Sequence, residues 1–342
     1  MLVFIARRLL LLPVVFIGVT LAIVLLMQLL TPYQRAAAFV QSEQQIRQID
    51  SIIEQYGLTD PWYQQYYRWM NQVLQGNMGF SRTTNEPVLT TLRNRFPATL
   101  ELAILAIIPV IGIGIWLGTA AALNRDKLVD QVTRVMSIVG WSLPTFVLGI
   151  WLLVIFYGGL GWFQPGRIST QFLVEIAGRS GFQHYTRMLS LDALLNGRFD
   201  IFVDAIKHLI LPVVTLAVVQ SAQIMRVMRS SLLDALSRDY VRTARSKGLP
   251  ERVVSHKHAR RNALIPVVTL AGFTLVGLIN GVVITETIFN FPGLGQWAAA
   301  SAINLDYAAV MGFALFTALM VVLANLLVDV LYGVIDPRIR YE

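Results

Sequence analysis

The residues whose types and spacing could do chemistry are concentrated in one segment, DYVRTARSKGLPERVVSHKHARRNALIPVV, which begins at Asp239. Arg238, Arg242 and Arg245 are spaced four and three residues apart, so they share one face of a helix. Gly248 is placed to end that helix in a left-handed conformation. The spacing therefore predicts a cationic helix that stops at a glycine, which is suited to docking a partner rather than to breaking bonds.

The rest of this segment favours an elbow between two helices. The face opposite the arginines is apolar and consists of Leu232, Leu233, Leu236, Tyr240 and Ala244. Pro250 can open a second short helix that runs into the next apolar stretch. Attraction to anionic lipid, about 1 kcal/mol per basic residue near the surface, explains the arginines but not the glycine. A rigid docking elbow explains both.

Residue types that carry catalysis are scarce elsewhere in the chain. There is no cysteine, which excludes disulfides and thiolate sites. His256 and His258 are two residues apart and would point away from each other on a helix, so a metal site is not expected. None of the four lysines follows a glycine, so the G-x-x-x-x-G-K-[ST] loop that cradles nucleotide phosphates is missing. The sequence predicts a protein that is not itself an enzyme and holds no cofactor or metal.

A few other polar or kinking residues are candidates for structural or pathway roles. Pro144 lies inside an apolar run, Glu286 lies at the end of another, and Asp329 lies inside the last one. For Asp329, packing or pairing with a nearby arginine is the favoured interpretation. No lysine, arginine or histidine lies at the middle of an apolar run, so a proton relay, which needs ionisable groups at membrane depth, is poorly supported.

The composition indicates a membrane protein. Only 14% of the 342 residues are charged, against about 25% in soluble proteins, and the mean hydropathy is +0.60. The net charge of +8 does not indicate nucleic acid, because the basic residues follow the ends of apolar runs and no nucleic-acid-binding pattern is present.

The apolar runs predict an all-α polytopic protein with six transmembrane helices. The first helix falls within residues 1–30, and its 22-residue run from Leu9 to Leu30 would span about 33 Å as a helix. The other five runs are 100–123, 132–157, 209–225, 263–285 and 308–332. A cleaved signal peptide would have a shorter apolar core and a small-residue cleavage site, so the first run is interpreted as an uncleaved helix.

Charge asymmetry predicts the orientation. Seventeen of the 28 lysines and arginines lie in the amino-terminal tail, the loop after the second run, the loop 226–262 and the tail 333–342. The positive-inside rule therefore predicts that both termini and the loop 226–262 are cytoplasmic. The segments 31–97 and 158–207 are then extracytoplasmic. Apolar spacing predicts two short helices in the first of them, ending at Gly57 and Gly76.

The segment Asp239–Leu249 resembles the cytoplasmic coupling loop of ABC importer permeases, in the form found in the dipeptide/oligopeptide permease family. The wider motif is E-A-A, three residues and then G. Arg242, Thr243, Ala244 and Gly248 align with it, with arginine in place of the glutamate. The resemblance implies ATPase coupling for Asp239, Tyr240, Arg242, Thr243, Ala244, Arg245, Lys247, Gly248 and Leu249.

Further motifs extend the resemblance along most of the chain. They are GFS at 79–81, RFPATLELA at 95–103, ETIFNFPGLGQW at 286–297 and LLVDVLYGVIDPRIR at 326–340. The match is closest to the first of the two permease subunits. One departure is TPYQRAAAF after the first run, where family members often carry P-G-D-P.

The resemblance implies a complete importer around this chain. Residues 98–332 would form a type I ABC importer transmembrane domain in the inner or plasma membrane. A second homologous permease subunit would complete the pore, two ATPase subunits would bind ATP and Mg²⁺, and an extracytoplasmic solute-binding protein would deliver di- or oligopeptides. Related permeases for nickel, glutathione or other small solutes remain alternatives, as do an ion-coupled carrier and a receptor-like protein that docks partners without transport.

Overall fold

The computed structural model describes residues 2–36, 39–40, 45, 47–178, 181–279 and 282–335, without the side chains of 2–12 and 327–335. The helices are α1 (Leu2–Met27), α2 (Pro32–Ala36), α3 (Ile49–Gln55), α4 (Trp62–Leu74), α5 (Val88–Leu123), α6 (Leu128–Ser142), α7 (Thr145–Leu152), α8 (Thr170–Gly178), α9 (Leu189–Leu195), α10 (Phe199–Leu236), α11 (Asp239–Ser246), α12 (Glu251–Val253), α13 (Arg260–Ile279), α14 (Val283–Ile288), α15 (Leu294–Ile303) and α16 (Tyr307–Ile335). Strands β1 (Phe80–Ser81) and β2 (Glu86–Pro87) form an antiparallel pair. The predicted all-helical class is therefore confirmed.

Long apolar helices dominate the described residues. Four are long and apolar enough to cross a bilayer: α5, α10, the continuous helix Glu251–Ile279, and α16 over Tyr307–Leu326. The pair α6–α7 adds a fifth if it crosses as one bent unit. Helix α1 has 26 residues, of which Pro13–Met27 is the apolar part with described side chains. The count of six spans stays a prediction.

The predicted helix 132–157 is not one straight rod. Helices α6 and α7 meet at a bend of 98°. Leu143 is extended (φ −77°, ψ 121°), as expected before a proline, and Pro144 precedes the first residue of α7. A proline has no N–H to donate to the preceding turn, so α6 ends here. The C-terminal part of this arm, Leu153–Gly159, is π-helical.

Two other runs differ from their predicted bounds. The run 209–225 lies inside α10, which has 38 residues and is therefore about 57 Å long. The run 263–285 ends as a helix at Ile279, and α14 begins separately at Val283.

Helices α5 and α10 form the centre of the bundle and run parallel. Gly114 faces Ile224, and four residues later Gly118 faces Met228. A Cβ atom on Gly118 would lie 2.6 Å from the backbone oxygen of Met225, so only glycine permits this approach. We call the end of the bundle beyond Leu123 and Leu236 the elbow end, and the opposite end the loop end.

Candidate coupling surface

The elbow, residues 239–259, follows α10 at the elbow end. Arg238 is extended (φ −75°, ψ 153°) and precedes α11, which carries Asp239 in its first turn, where a carboxylate favours the helix dipole. Gly248 has φ +75°. Its N–H donates to the backbone carbonyl of Arg245 at 2.9 Å, and the N–H of Leu249 donates to the carbonyl of Ala244 at 3.4 Å. This is a Schellman-type helix ending, which confirms the predicted left-handed stop at Gly248.

One face of α11 packs on the protein itself. Val241 and Ala244 are 0% and 7% exposed. They belong to a buried apolar cluster with Leu232, Val254 and Ala259, so both arms of the elbow are fixed to the end of α10. Burying apolar side chains contributes about 25 cal/mol per Å², which holds an otherwise marginal eight-residue helix in place.

The other face of α11 is open. Tyr240 and Leu249 are 39% and 37% exposed, and Arg242, Thr243 and Lys247 are exposed beside them. The apolar face that the sequence assigned to Tyr240 is not uniform, because Tyr240 is exposed whereas Leu232 and Ala244 are buried. The helix is interrupted at residues 237–238, so the helical register of α10 does not continue into α11.

Two ion pairs with different strengths mark this surface. Arg245 makes a two-pronged contact with Glu251 across the turn, at 3.0 Å from Nε and 2.6 Å from Nη2. This bonding raises the pKa of Arg245 above its usual range, and it ties the two arms of the elbow together. Arg242 lies 3.4 Å from Asp239, with side chains 74% and 95% exposed, and such pairs add little stability.

The second arm of the elbow continues directly into the membrane-length helix. Helix α12 passes through a π-helical segment, Val254–Ala259, into α13. Ser255 Oγ donates to the carbonyl of Glu251 at 2.8 Å, which steadies this segment. A displacement of the turn at Gly248 is therefore carried into α13 without an intervening loop.

A buried ion pair at the elbow end could not be found from the sequence. Asp130 of α6 is fully buried, and Arg229 of α10 contacts it through Nε at 2.5 Å and Nη2 at 2.7 Å. The backbone N–H of Asp126 adds a third bond at 3.0 Å. The pair joins residues 99 positions apart. The one sequence signal was an acidic residue at the start of an apolar run.

Glu286 has a structural position at the loop end, distant from the elbow. Its carboxylate is fully buried and accepts from Thr99 Oγ1 at 2.7 Å and from the N–H of Gln296 at 3.0 Å. The second bond comes from the first turn of α15, where the helix dipole favours a negative charge. Burial nevertheless raises the pKa of Glu286 above its usual range. Asp329 falls in α16, and its side chain lies outside the described residues.

Two other buried carboxylates repeat this arrangement at the loop end. Glu101 accepts from the N–H groups of Leu189 and Ser190, at the start of α9, and from Arg167 at 2.7 Å. Asp306 accepts from Ser81 Oγ at 2.7 Å and joins the start of α16 to the β-hairpin. The loop end is therefore held by carboxylates that bind backbone N–H groups at the starts of helices.

Comparison with known proteins decides the family. Residues 111–341 match the model described as binding-protein-dependent transport system inner membrane component. Residues 1–103 match the corresponding N-terminal model. The chain belongs to this family. It is therefore a multi-pass membrane subunit of an ABC-type, binding-protein-dependent transport system, as the resemblance of the elbow segment implied.

Curated relatives agree over most of the chain. It is 44% identical over 291 residues to the probable D,D-dipeptide transport system permease protein of Escherichia coli K12, covering 85% of this chain and 84% of that protein. It is 40% identical over 342 residues, all of both chains, to the di/tripeptide transport system permease protein of Pseudomonas aeruginosa UCBPP-PA14. The dipeptide permease of Escherichia coli K12 is 39% identical over 295 residues, 85% of each chain.

The solved structures that resemble this chain include the inward-facing MetNI methionine ABC transporter. It aligns with a TM-score of 0.49 and 17% identity, covering 72% of this chain and 96% of that chain.

Proposed function

We propose that the elbow is the site where a separate ATPase subunit docks and through which ATP hydrolysis drives this importer. The coupling residues are Asp239, Tyr240, Arg242, Thr243, Ala244, Arg245, Lys247, Gly248 and Leu249. Ala244 faces the chain's own core, and the others are exposed to a partner. The observation that carries the proposal is the two-sided structure of α11, with one face anchored on the chain's own core and the other exposed at the tip of the elbow end.

The exposed face has the composition of a docking surface. Tyr240 and Leu249 offer partly exposed apolar anchors, and Arg242 and Lys247 lie around them. Protein interfaces commonly combine apolar or aromatic anchors with a polar rim. We infer a complementary groove on the ATPase, with acidic groups at its edge. The elbow end and both termini would then face the cytoplasm, where ATP is available.

Coupling follows from how the elbow is attached. The buried cluster of α11 fixes it to α10, and the π-helical segment joins it to α13. When the ATPase subunits close on ATP, a docked elbow would move with them and shift the two membrane helices. The pore would then change from inward-open to outward-open as a shift of population, which requires that ATP bind one state more tightly.

The chain would be one half of the translocation pathway. A second homologous permease subunit would supply the other half, and two ATPase subunits would bind ATP and Mg²⁺. An extracytoplasmic solute-binding protein would deliver the cargo to the loop end. The sequence has no phosphate-binding loop of its own, which supports an energy source on partner subunits.

Short peptides are the proposed cargo. All three relatives described above carry dipeptide or tripeptide transport in their names. Nickel, glutathione and other small solutes are the alternatives within this kind of permease. An ion-coupled carrier would instead lose transport when the proton gradient is collapsed, with no requirement for ATP.

Cysteine cross-linking tests the docking directly, because the natural chain has no cysteine. Leu249→Cys places a thiol on the elbow, and Leu195→Cys, 56% exposed at the loop end, is the matched control. With the complete importer in vesicles, we expect a thiol cross-linker to join the first variant to the ATPase subunit and the second variant not to do so. The reverse pattern would refute the proposal.

A further inference from the structure

A cavity at the loop end contains a buried cation that has no acidic partner among the described residues. It has a volume of about 70 Å³ and lies between α1, α2, α4 and the start of α16. One liquid water takes up about 30 Å³, so the cavity has room for a small group. The residues that line it include Arg35, Gln28, Gln65, Trp69, Gln72 and Asn77, and none of the lining residues is acidic.

Arg35 is only partly satisfied by its neighbours. The side chain is 8% exposed, and Nη1 donates to Gln65 Oε1 at 2.6 Å and to Gln28 Oε1 at 2.8 Å. Nε is buried without an acceptor among the described residues. Burial lowers the pKa of Arg35 below its usual range. Buried charges in proteins are normally paired, because two neutral amides do not replace the lost hydration.

The amide of Gln65 is held in a fixed orientation. Its Nε2 donates to the backbone carbonyls of Leu58 at 3.1 Å and Asp60 at 2.6 Å. The amide oxygen must therefore face Arg35, and this locks the guanidinium at the cavity wall. A cation that is already positioned loses little conformational entropy on binding an anion.

The second cation at the cavity is already neutralised. Arg68 pairs with Asp60 at 2.7 Å, and its side chain is 46% exposed. Within the part of the chain that the structure describes, one uncompensated positive charge therefore remains at the cavity, which fits a singly charged planar group better than a phosphate dianion. The guanidinium fork also matches the geometry of a carboxylate.

We propose that this cavity is a binding site for a carboxylate, held by the buried guanidinium of Arg35. Two sources share this chemistry: a free small carboxylate, and the main-chain carboxylate of a short peptide. The second source rests on the proposed function, but the site itself does not.

The test is the thermal unfolding of the purified full chain in detergent at pH 7, with acetate and chloride compared at equal ionic strength. We expect acetate at ten times its dissociation constant to raise the unfolding temperature by about 2–4 °C more than chloride does. Arg35→Gln should abolish this difference. Arg68→Gln, on the same wall, should keep it.

A second variant covers the case in which Arg35→Gln does not fold. Arg35→Lys keeps the charge but removes the planar fork, so the acetate response should persist at reduced size. Equal responses of the natural chain to acetate and chloride would overturn the proposal, and so would an unchanged acetate response in both Arg35 variants.

Two peptide probes separate the sources. Alanyl-alanine should act like acetate if the site takes a peptide carboxylate, while its amide, which lacks that carboxylate, should not. A response to acetate alone identifies a free small carboxylate as the ligand. Loss of peptide transport has no influence on these readings, so failure of the proposed function and failure of this site are distinguishable.

Discussion

Replacement of Gly248 by valine separates mechanical coupling from simple stability. Gly248 has φ +75°, and a Cβ atom there would meet nothing within 4 Å. The cost is therefore backbone strain alone, about 1–2 kcal/mol for a residue with a Cβ in the left-handed region. This strain should distort or unwind the end of α11 and displace Leu249, which follows it.

A matched control exists at the other end of the molecule. Gly197 has φ +68° with nothing within 4 Å. It also ends a short helix in the same way, because its N–H donates to the backbone carbonyl of Leu194 at 3.0 Å and the backbone N–H of Arg198 donates to the carbonyl of Ala193 at 2.8 Å. Gly197→Val should therefore cost the same backbone energy as Gly248→Val, about 57 Å away along α10.

The assay is ATP-dependent peptide uptake by the reconstituted importer, together with its ATPase rate. We expect Gly248→Val to reduce uptake by tenfold or more, about 1.4 kcal/mol or above, and to leave ATP hydrolysis no longer stimulated by cargo. Gly197→Val should stay within about twofold of the natural chain. Equal loss of uptake in the two variants would show that only stability was affected and would contradict a coupling role for Gly248.

Two further predictions concern buried charge. Unfolding in detergent should give a coupling energy of about 2–4 kcal/mol for the double-mutant cycle of Asp130→Asn and Arg229→Gln, because either single change leaves a buried polar group without its partner. The same cycle on the exposed pair Asp239–Arg242 should give at most ~0.5 kcal/mol. Similar coupling energies for the two pairs would contradict a stabilising role for the buried pair. Burial raises the folded-state pKa of Glu286 above 4.5, so between 4.5 and that pKa the folded state binds more protons than the unfolded state does. The free energy of unfolding should therefore fall as the pH rises from 4.5 through the folded-state pKa. Glu286→Gln should remove this slope, and an unchanged slope in unfolding experiments would exclude Glu286 as its source.

The local chemistry of the elbow could be predicted from the sequence because it depends on neighbours along the chain. A glycine after a helical basic run, followed by Pro250, is enough to place the turn. The apolar runs likewise located the long helices, since their length is set by the thickness of a bilayer.

The features that the sequence did not provide depend on contacts between distant residues. Which side chains share a face on either side of residues 237–238 depends on the break between α10 and α11. Pro144 marks where α6 ends, but the angle of 98° between the two helices depends on what α7 packs against. The pairing of Asp130 with Arg229 joins two helices, and Glu286 has its role only because the start of α15 folds back over it. A single sequence does not give such pairings.

The most direct test of the central claim is the nucleotide dependence of the cross-link at the elbow. We expect Leu249→Cys to join the ATPase subunit in both the ATP-bound and the nucleotide-free importer, because a docked elbow must move with its partner throughout the cycle. Leu195→Cys should give no ATPase cross-link in either state. A cross-link from Leu195→Cys and none from Leu249→Cys would place the ATPase at the loop end and contradict docking at the elbow.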